Sequence, residues 1–399
     1  MTRRGRVDVV VVGGGVVGAA CALVLSRLDL DVVLVEAGEP APWRAATPDL
    51  RVYAFAPDSA ALLDGLDAWR DVRDARAQPY RRMRVWDAAS AGELVFDADA
   101  FGRRELGWIV EHGLLVDRLW AALRRSAVTV RCPARVEALV QGDDGVELRL
   151  DDGVRVSARI AVAADGADST LRTLAGLEVE RHDYVQSGVV AYVGTELPHE
   201  ATAWQRFLPG GPLAFLPCAD GSSSIVWTLP DDAAREVLAL DDAAFARALT
   251  RAFDARLGAA TPRSRRVAFP LRRQLAQRHL EGRVLVVGDA AHVVHPLAGQ
   301  GVNLGLRDVA ALRDAVAEAK ARRAEWDAPQ RLARWARTRR SENAIAAHAF
   351  DGINRVFSND DVAMTLLRGP LLGLAGKMPP LLAAFWRRAG GNTSAAESR

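Results

Sequence analysis

The chain has 399 residues, of which 50% are apolar and 26% charged, as in ordinary globular proteins. This length is too great for one small core and favours two packed units, one interrupted by the other. The net charge of +2 provides no broad basic excess, which argues against a nucleic-acid partner. The three cysteines, Cys21, Cys132 and Cys218, lack metal-ligand spacing, so we expect neither a metal site nor a disulfide framework, and a reducing cytoplasm fits them.

The N-terminus is predicted to form a βαβ unit. Residues 9–12 are four valines typical of a buried strand, residues 19–28 continue as a helix, and residues 32–35 form a second strand. Three arginines before this run imitate a signal peptide, but Asp8 and several glycines interrupt the apolar residues. We therefore interpret the segment as a nucleotide-binding unit. Nowhere does the chain offer the ~20 uninterrupted apolar residues that a membrane-spanning helix requires.

A G-x-G-x-x-G sequence lies at the turn between the first strand and the helix. Inside a complete βαβ unit, with an acidic residue about 20 positions on, this spacing is the fingerprint of dinucleotide binding. Gly13 makes the turn, Gly15 admits a pyrophosphate to the helix end, and Gly18 lets the helix pack on the strand. Glu36 ends the second strand and is predicted to accept both hydroxyls of an adenosine ribose; the alternative is a surface carboxylate.

Two further charged residues are candidates for the same ligand. Arg51 lies in a proline-rich loop over residues 40–57, where an arginine either stays solvated or returns to clamp a pyrophosphate. Asp165 follows a predicted buried strand at 160–164 and precedes a glycine. An Asp-Gly turn is common in general, but an acid that closes a second strand favours another contact with the dinucleotide.

The middle of the chain changes to a different pattern. Strand-like runs at 189–193, 202–208 and 223–229 are separated by turns rich in glycine and proline, with no helix between them. They predict an antiparallel sheet and hence a second domain, to which the alternating residues 81–97 add a hairpin. After a helix at 241–253 the chain returns to the parallel sheet, so the dinucleotide-binding domain is predicted to be discontinuous.

The predicted fold class is therefore α/β, with a Rossmann-like parallel sheet, an inserted antiparallel-sheet domain and a helical C-terminal segment. We also predict one helix over 59–69 and an edge strand at 108–112. The predicted divisions are 1–75, 100–172 and 270–345 for the dinucleotide-binding domain, 76–99 and 173–269 for the inserted domain, and 346–399 for the C-terminal segment.

A second glycine-rich loop follows another predicted strand at 284–287. Asp289 closes that strand and can accept hydrogen bonds from sugar hydroxyls, while Gly299 and Gly301 allow backbone to approach a flat ring. A helix begins near Asn303 and aims its N–H groups and a partial charge of roughly +0.5 at whatever lies in front of it. A flavin, whose ring edge becomes anionic on reduction, suits that end. Taken alone, the loop fits an ordinary helix N-cap about equally well.

The C-terminal segment combines apolar patches with basic and aromatic residues. Between 366 and 388 it is too interrupted to span a bilayer, and two interpretations remain equal: a helical segment packed on the core, or one that lies on a membrane surface.

Three features follow one another along the chain: the Gly-rich βαβ unit, the Asp-Gly turn, and the Gly-Asp strand end with its proline-containing loop. In this order of motifs the chain resembles the class A flavoprotein monooxygenases of the para-hydroxybenzoate hydroxylase fold. A closer resemblance is to the ubiquinone-biosynthesis hydroxylases. The sequences that carry it are TELPH at 195–199, AWQRF at 203–207, GPLAFLP at 211–217 and HPLAGQGVNLGLRD at 295–308.

This resemblance implies FAD and NAD(P)H as cofactors, and residue roles follow from it. Glu36 would hold the adenosine ribose, Arg51 the pyrophosphate, Asp289 the ribityl chain, and Asp165 the dinucleotide site and NAD(P)H. His112 stands where relatives often carry arginine or glutamine against the flavin. The flavin-ring loop of Pro296, Gly299, Gln300 and Gly301 would form the catalytic centre, with Val302 and Asn303 as further cofactor contacts.

The resemblance also implies the reaction. Reduced flavin reacts with O2 to give a C4a-hydroperoxide, which passes OH to a prenylated phenol or quinol intermediate of ubiquinone biosynthesis. The absence of Lys and Arg from 218–229 favours such a neutral, lipidic phenol. The implied location is cytoplasmic, with peripheral contact at the inner face of the plasma membrane and with other ubiquinone-biosynthesis proteins. The alternatives are a hydroxylase of a soluble aromatic compound, a prenyl reductase and a non-catalytic flavin-binding scaffold.

Overall fold

The computed structural model describes residues 5–88, 92–294 and 301–357. The helices in this part of the chain are α1 (Val16–Ser26), α2 (Pro57–Asp64), α3 (Trp69–Arg76), α4 (His112–Arg124), α5 (Thr170–Leu174), α6 (Asp231–Ala239), α7 (Asp242–Ala252), α8 (Gly301–Ala321) and α9 (Pro329–Phe357). The strands are β1 (Val7–Val12), β2 (Val32–Val35), β3 (Val52–Phe55), β4 (Gln78–Tyr80), β5 (Arg82–Asp87), β6 (Glu93–Asp97), β7 (Gly107–Glu111), β8 (Thr129–Arg131), β9 (Val136–Gln141), β10 (Val146–Leu150), β11 (Arg155–Ala163), β12 (Val179–Thr195), β13 (Thr202–Leu208), β14 (Gly211–Pro217), β15 (Ser223–Pro230), β16 (Ala260–Pro262), β17 (Val267–Ala276), β18 (Leu280–Glu281), β19 (Val284–Val286) and β20 (His292–Val293).

The first sheet is centred on β1. Its order is β18-β19-β11-β1-β2-β8, and every pair from β19 to β8 is parallel. The four valines predicted as a buried strand are covered on both faces, since Val9 and Val11 belong to one core cluster and Val10 and Val12 to another. Helices α1, α4 and α8 pack on the first face, while the hairpin β9–β10 packs on the second. The predicted parallel sheet is confirmed.

The second sheet has the order β20-β17-β12-β15-β14-β13-β5-β6. Its pairs are antiparallel except β5–β13, so the predicted antiparallel insertion is confirmed with one parallel pair added. One face is covered by α6 and α7, where Trp204, Phe215 and Trp227 pack around Phe245. The opposite face turns towards the first sheet and forms the wall described below.

Two local predictions were wrong, and one strand was missed. The helix predicted over 59–69 is two helices, because α2 ends before Gly65 and Asp67 adopts a left-handed φ of 54°. The strand predicted at the edge near 108–112 is β7, the centre of a three-stranded sheet β3-β7-β4. Strand β14 was not predicted, because its seven residues are all buried and show no alternation of apolar and polar side chains.

The predicted divisions at 269/270 and 345/346 fall inside β17 and α9. Because β17 pairs with β12 as far as Ala276, we propose that the inserted domain extends to that residue. No helix of the described residues is long and apolar enough to cross a membrane. The apolar and basic segment at 366–388 lies outside the described residues.

Candidate active site

Two glycines of the first motif permit backbone contacts that any side chain would block. Gly13 has a φ of +103°, and a Cβ there would lie 2.4 Å from the Ala164 carbonyl oxygen. A Cβ on Gly18 would lie 1.9 Å from the Gly13 carbonyl oxygen. Because backbone atoms cannot move aside cheaply, both positions require glycine, and α1 is held tightly against the turn that follows β1.

Gly15 has a different environment, since a Cβ there would meet no described atom within 4 Å. It is the N-cap of α1, and no side chain of the described residues caps this helix; its first turn contains no acidic residue. The first N–H groups of α1 therefore point into open space with the positive end of the helix dipole behind them. This arrangement fits a pyrophosphate.

Glu36 is held at the edge of the same space. Its Oε2 accepts a hydrogen bond from the Gly14 N–H at 2.5 Å, and its Oε1 accepts one from the Gly38 N–H at 3.0 Å. A carboxylate has about four acceptor positions, so each oxygen retains a lone pair for a further donor. The side chain is thus fixed by backbone and remains able to accept from two sugar hydroxyls.

Arg51 and Asp289 face each other across the cavity, with 3.7 Å between Arg51 Nη2 and Asp289 Oδ2. Their side chains are 56% and 42% exposed, so this ion pair is worth little by itself. Arg51 also lies over the Tyr53 ring, 5.4 Å from its centroid. Both charged groups remain available to a ligand that enters between them.

Tyr53 and His112 form a neutral pair on the cavity wall, with 3.0 Å between Tyr53 Oη and His112 Nδ1. Burial raises the pKa of the Tyr53 phenol. Burial, followed by the charge of Arg51, lowers the pKa of His112 to about 4. At neutral pH the phenol is therefore hydrogen-bonded to an uncharged imidazole, and Arg51 has no competing positive charge beside it.

The loop that carries Arg51 is held by two carboxylates that the sequence analysis did not single out. Asp49 accepts from the N–H groups of Arg51 and Gly113, at 2.9 and 3.0 Å. Glu111, itself 5% exposed, accepts from Trp43 Nε1 and the Asp49 N–H, at 2.8 and 3.0 Å. These bonds place Arg51 at the cavity without any ligand.

The side chain of Asp165 is used within its own turn. It accepts hydrogen bonds from Ser169 Oγ and, at 3.1 Å, from the Leu171 N–H, so it orders the start of α5. Gly166 adopts a φ of +86°. Asp165 and Gly166 both line the cavity.

The second glycine-rich loop is described only from Gly301, so Pro296, Gly299 and Gln300 lie outside the described residues. Gly301 begins α8, and a Cβ there would meet no described atom within 4 Å. Gly301 and Val302 line the cavity.

Asn303, expected as a cofactor contact, has its side chain turned into the protein, where it is 0% exposed. Its Oδ1 accepts from the Ala56 N–H and Ser59 Oγ, both at 2.9 Å, and its Nδ2 donates to the Ala54 carbonyl at 2.8 Å. The side chain therefore joins α8 to the start of α2.

A buried carboxylate, Asp308, fixes the backbone on both sides of Asp289. Its Oδ2 accepts from the Gly288 N–H at 3.1 Å and from His292 Nε2 at 2.7 Å. Its Oδ1 accepts from Arg339 Nε and Asn343 Nδ2 of α9, at 2.8 and 3.0 Å. Burial opposes the charge of Asp308, but His292 and Arg339 outweigh it and hold the pKa well below its usual range.

One cavity of about 1120 Å³ is lined by Gly13, Gly15, Glu36, Arg51, Tyr53, His112, Asp165 and Asp289. On one side lie the first glycine-rich turn, the start of α8, Glu36, Arg51, His112 and Asp289; on the other lies the free face of the second sheet. The residues that β12–β15 contribute to that face are Val190, Gln205, Pro212, Ala214, Leu216, Val226 and Thr228. None of these described side chains is charged. The space therefore joins a polar dinucleotide cradle to a wall that is largely apolar over β12–β15, while Arg265 and Arg272, beside and within β17, line the cavity as well.

The fold and cradle define a flavoprotein of the dinucleotide-binding class. The family model described as FAD binding domain matches residues 6–344, and the chain belongs to this family. It is 38% identical to 3-demethoxyubiquinol 3-hydroxylase of Escherichia coli over 92% of this chain and 93% of that protein. It is also 38% identical to ubiquinone hydroxylase UbiL of Rhodospirillum rubrum, over 96% and 89% of the two chains. Human ubiquinone biosynthesis monooxygenase COQ6 is 32% identical, over 94% and 90%.

Among solved structures, p-nitrophenol 4-monooxygenase PnpA from Pseudomonas putida matches with a TM-score of 0.77 at 21% identity, over 97% of this chain and 99% of that one. A variant of HpxO from Klebsiella pneumoniae complexed with FAD matches with a TM-score of 0.73 at 18% identity, over 96% and 99%. At such identities these two matches bear on the fold alone. The predicted resemblance to flavin monooxygenases, and FAD as the cofactor, are confirmed.

Proposed function

We propose that this protein is an FAD-dependent aromatic-ring hydroxylase that acts on a prenylated phenol or quinol intermediate of ubiquinone biosynthesis, with NAD(P)H as reductant and O2 as co-substrate. The observation that carries the proposal is the single cavity in which a dinucleotide cradle meets an apolar wall. The names of the related hydroxylases support the choice of substrate. A neutral lipidic phenol needs no positive charge on that wall, and β12–β15 supply none there among the described residues.

Each part of the cavity has a proposed task. The N-terminus of α1 binds the pyrophosphate of FAD, and Glu36 holds the adenosine ribose. Arg51 and Asp289 exchange their weak mutual contact for the pyrophosphate and the ribityl hydroxyls. The uncharged His112 leaves Arg51 as the local positive charge on its wall.

At the other end of FAD, the N-terminus of α8 would stabilise negative charge on the ring edge, because Gly301 and Val302, the first residues of that helix, line the cavity. FAD supplies the redox chemistry, namely acceptance of hydride and activation of O2. The apolar wall excludes water from the ring, which limits unproductive loss of the activated oxygen. The chain itself need supply no nucleophile.

The test is turnover by the purified, FAD-loaded protein. With NAD(P)H and 2-farnesylphenol we expect O2 consumption and a product heavier by one oxygen atom, whereas 4-hydroxybenzoate, a soluble anionic phenol, should not be hydroxylated. Hydroxylation of 4-hydroxybenzoate alone would instead identify an enzyme for soluble aromatic acids. NAD(P)H oxidation without any hydroxylated product, across phenols of both kinds, would refute the proposal.

We further propose peripheral membrane contact through the C-terminal segment, with other ubiquinone-biosynthesis proteins as neighbours and the inner face of the plasma membrane as the site. The support is sequence alone: basic Arg368, Lys377, Arg387 and Arg388 alternate with leucines and Trp386. Each basic residue near an anionic surface adds about 1 kcal/mol. Truncation after Asp360 should reduce co-sedimentation with anionic liposomes and leave the flavin spectrum intact. Loss of FAD or failure to fold would show that the segment is core packing.

A further inference from the structure

The cavity wall is one face of the second sheet, and strand register shows which side chains share it. Gln205 of β13 lies opposite Ala214 of β14, which lies opposite Val226 of β15. Val226 in turn lies opposite Val190 of β12, and Val190 opposite Val267 of β17. Directly opposed residues point to the same face of a sheet. These five side chains therefore form one row across the wall, in which four are apolar and Gln205 is polar.

Gln205 is 6% exposed, yet its amide has no hydrogen-bond partner among the described residues. Its amide atoms are not fully buried, so part of the amide remains accessible. Because Gln205 lines the cavity, what remains accessible of its amide is accessible from the cavity. An unpaired amide in an apolar wall is unfavourable until something bonds to it.

The neighbours of Gln205 leave room for that bond. The side chain opposite it is the methyl group of Ala214, and cross-strand Cβ atoms lie only about 5 Å apart. A glutamine reaches beyond such a small neighbour into the cavity. Among the residues that β12–β15 contribute to the cavity, the other polar side chain, Thr228, is shorter. Gln205 is thus the polar group of this part of the wall with the longer reach.

We infer that Gln205 orients the aromatic ring of the substrate by pairing with an oxygen on that ring. This inference rests on the proposed function, since it takes the ring to lie between the wall and the N-terminus of α8. An amide both donates and accepts, and so does a phenol hydroxyl, so the two groups match. The four apolar side chains of the row contact the apolar part of the ring and do not fix its orientation. Gln205 therefore determines which ring carbon faces the flavin.

The experiment compares two ligands of nearly equal shape, 2-farnesylphenol and farnesylbenzene, which lacks the oxygen. Each is titrated against the FAD-loaded protein while the flavin absorbance is followed. The main variant is Gln205→Met, which keeps the length and removes the amide, with Gln205→Leu as a second variant. The matched control is Gln186→Met, the same change in the same sheet; the Gln186 amide donates to the Gly210 carbonyl at 3.0 Å and does not line the cavity.

Wild type and Gln186→Met should bind 2-farnesylphenol about tenfold more tightly than farnesylbenzene, since one neutral hydrogen bond contributes about that factor. The Gln205 variants should bind both ligands with equal, weak affinity. Their product per O2 consumed should fall, with H2O2 in its place, because a ring held only by apolar contacts is not fixed against the flavin. FAD content and thermal midpoint should match those of wild type.

Unchanged discrimination in both Gln205 variants would overturn the inference, as would a wild type that does not distinguish the ligands. The two proposals fail separately. If wild type discriminates, the Gln205 variants do not, and no protein hydroxylates 2-farnesylphenol, then the substrate assignment fails and the role of Gln205 stands. If wild type hydroxylates 2-farnesylphenol and the Gln205 variants do so with unchanged affinity and coupling, then the role of Gln205 fails and the hydroxylase stands.

Discussion

Replacement of Asp308 by asparagine tests whether the buried network supports the site. Asp308 is 0% exposed and accepts hydrogen bonds from four donors: the Gly288 N–H, His292, Arg339 and Asn343. An asparagine retains one oxygen and turns an NH2 group towards donors. It also leaves Arg339, 4% exposed in its side chain, without its buried carboxylate partner. Removal of one member of a buried ion pair costs about 3–5 kcal/mol, and we expect that loss in the unfolding free energy of Asp308→Asn.

The measurement is urea unfolding of the FAD-free proteins at pH 7, followed by FAD titration of each. The folded pKa of Asp308 is depressed, so its stabilisation is present above the unfolded value of about 4 and is lost as the pH falls below it. At pH 7 the whole effect is therefore seen.

The control is Asp327→Asn. Asp327 is also buried, at 5% exposure, but it binds Arg159 and Arg283 away from the cavity. Both variants should lose stability, whereas Asp308→Asn alone should lose FAD affinity, because Asp308 fixes the backbone that carries Asp289. A loss under about 1 kcal/mol, or equal FAD affinities in the two variants, would refute this reasoning.

Three further predictions follow from the site. Asp289→Ala should weaken FAD binding by about one to two decades in an equilibrium titration, since a charge-assisted hydrogen bond contributes about 1.5–3 kcal/mol. Gly301→Val should fold and keep its flavin but lose hydroxylation, because the new side chain enters open space at the start of α8. Burial lowers the pKa of His279 to about 4. Its contribution, about 3 kcal/mol, should be complete above the unfolded value of about 6.5 and vanish towards pH 4. His279→Gln should reduce the slope of the stability profile in that range, and the slope that remains should come from His112, whose pKa is lowered in the same way.

The sequence predicted those features that local spacing determines. Short patterns of neighbouring residues were enough to identify the valines of β1, the glycines at 13 and 18, and the acidic residues that close β2 and β11. The link between Asp308 and Arg339 does not, because it joins two helices whose packing no short window specifies. Glu111 and Asp49 were missed for the same reason.

Gln205 gave a weak signal that could have been used. In β13, residues 203, 205 and 207 share a face under a period of two, and they are alanine, glutamine and phenylalanine. A glutamine between two apolar residues on one face is a polar group in an apolar setting. Whether that face meets a cavity or a second layer depends on packing, and only the structure shows it.

The position of β19 has a consequence for synthesis of the chain. Strand β11 pairs through Ala161–Ala163 with β19 at Val284–Val286, more than one hundred residues later. Strand β10 covers the outer edge of β11 only over residues 155–158, so until β19 leaves the ribosome the edge at residues 161–163 has no strand beside it. This interval is on the order of ten seconds at ordinary elongation rates. An open apolar edge recruits other chains. Fragments that stop before residue 284 should therefore aggregate, and production of the intact protein should respond to chaperone supply more than to added riboflavin.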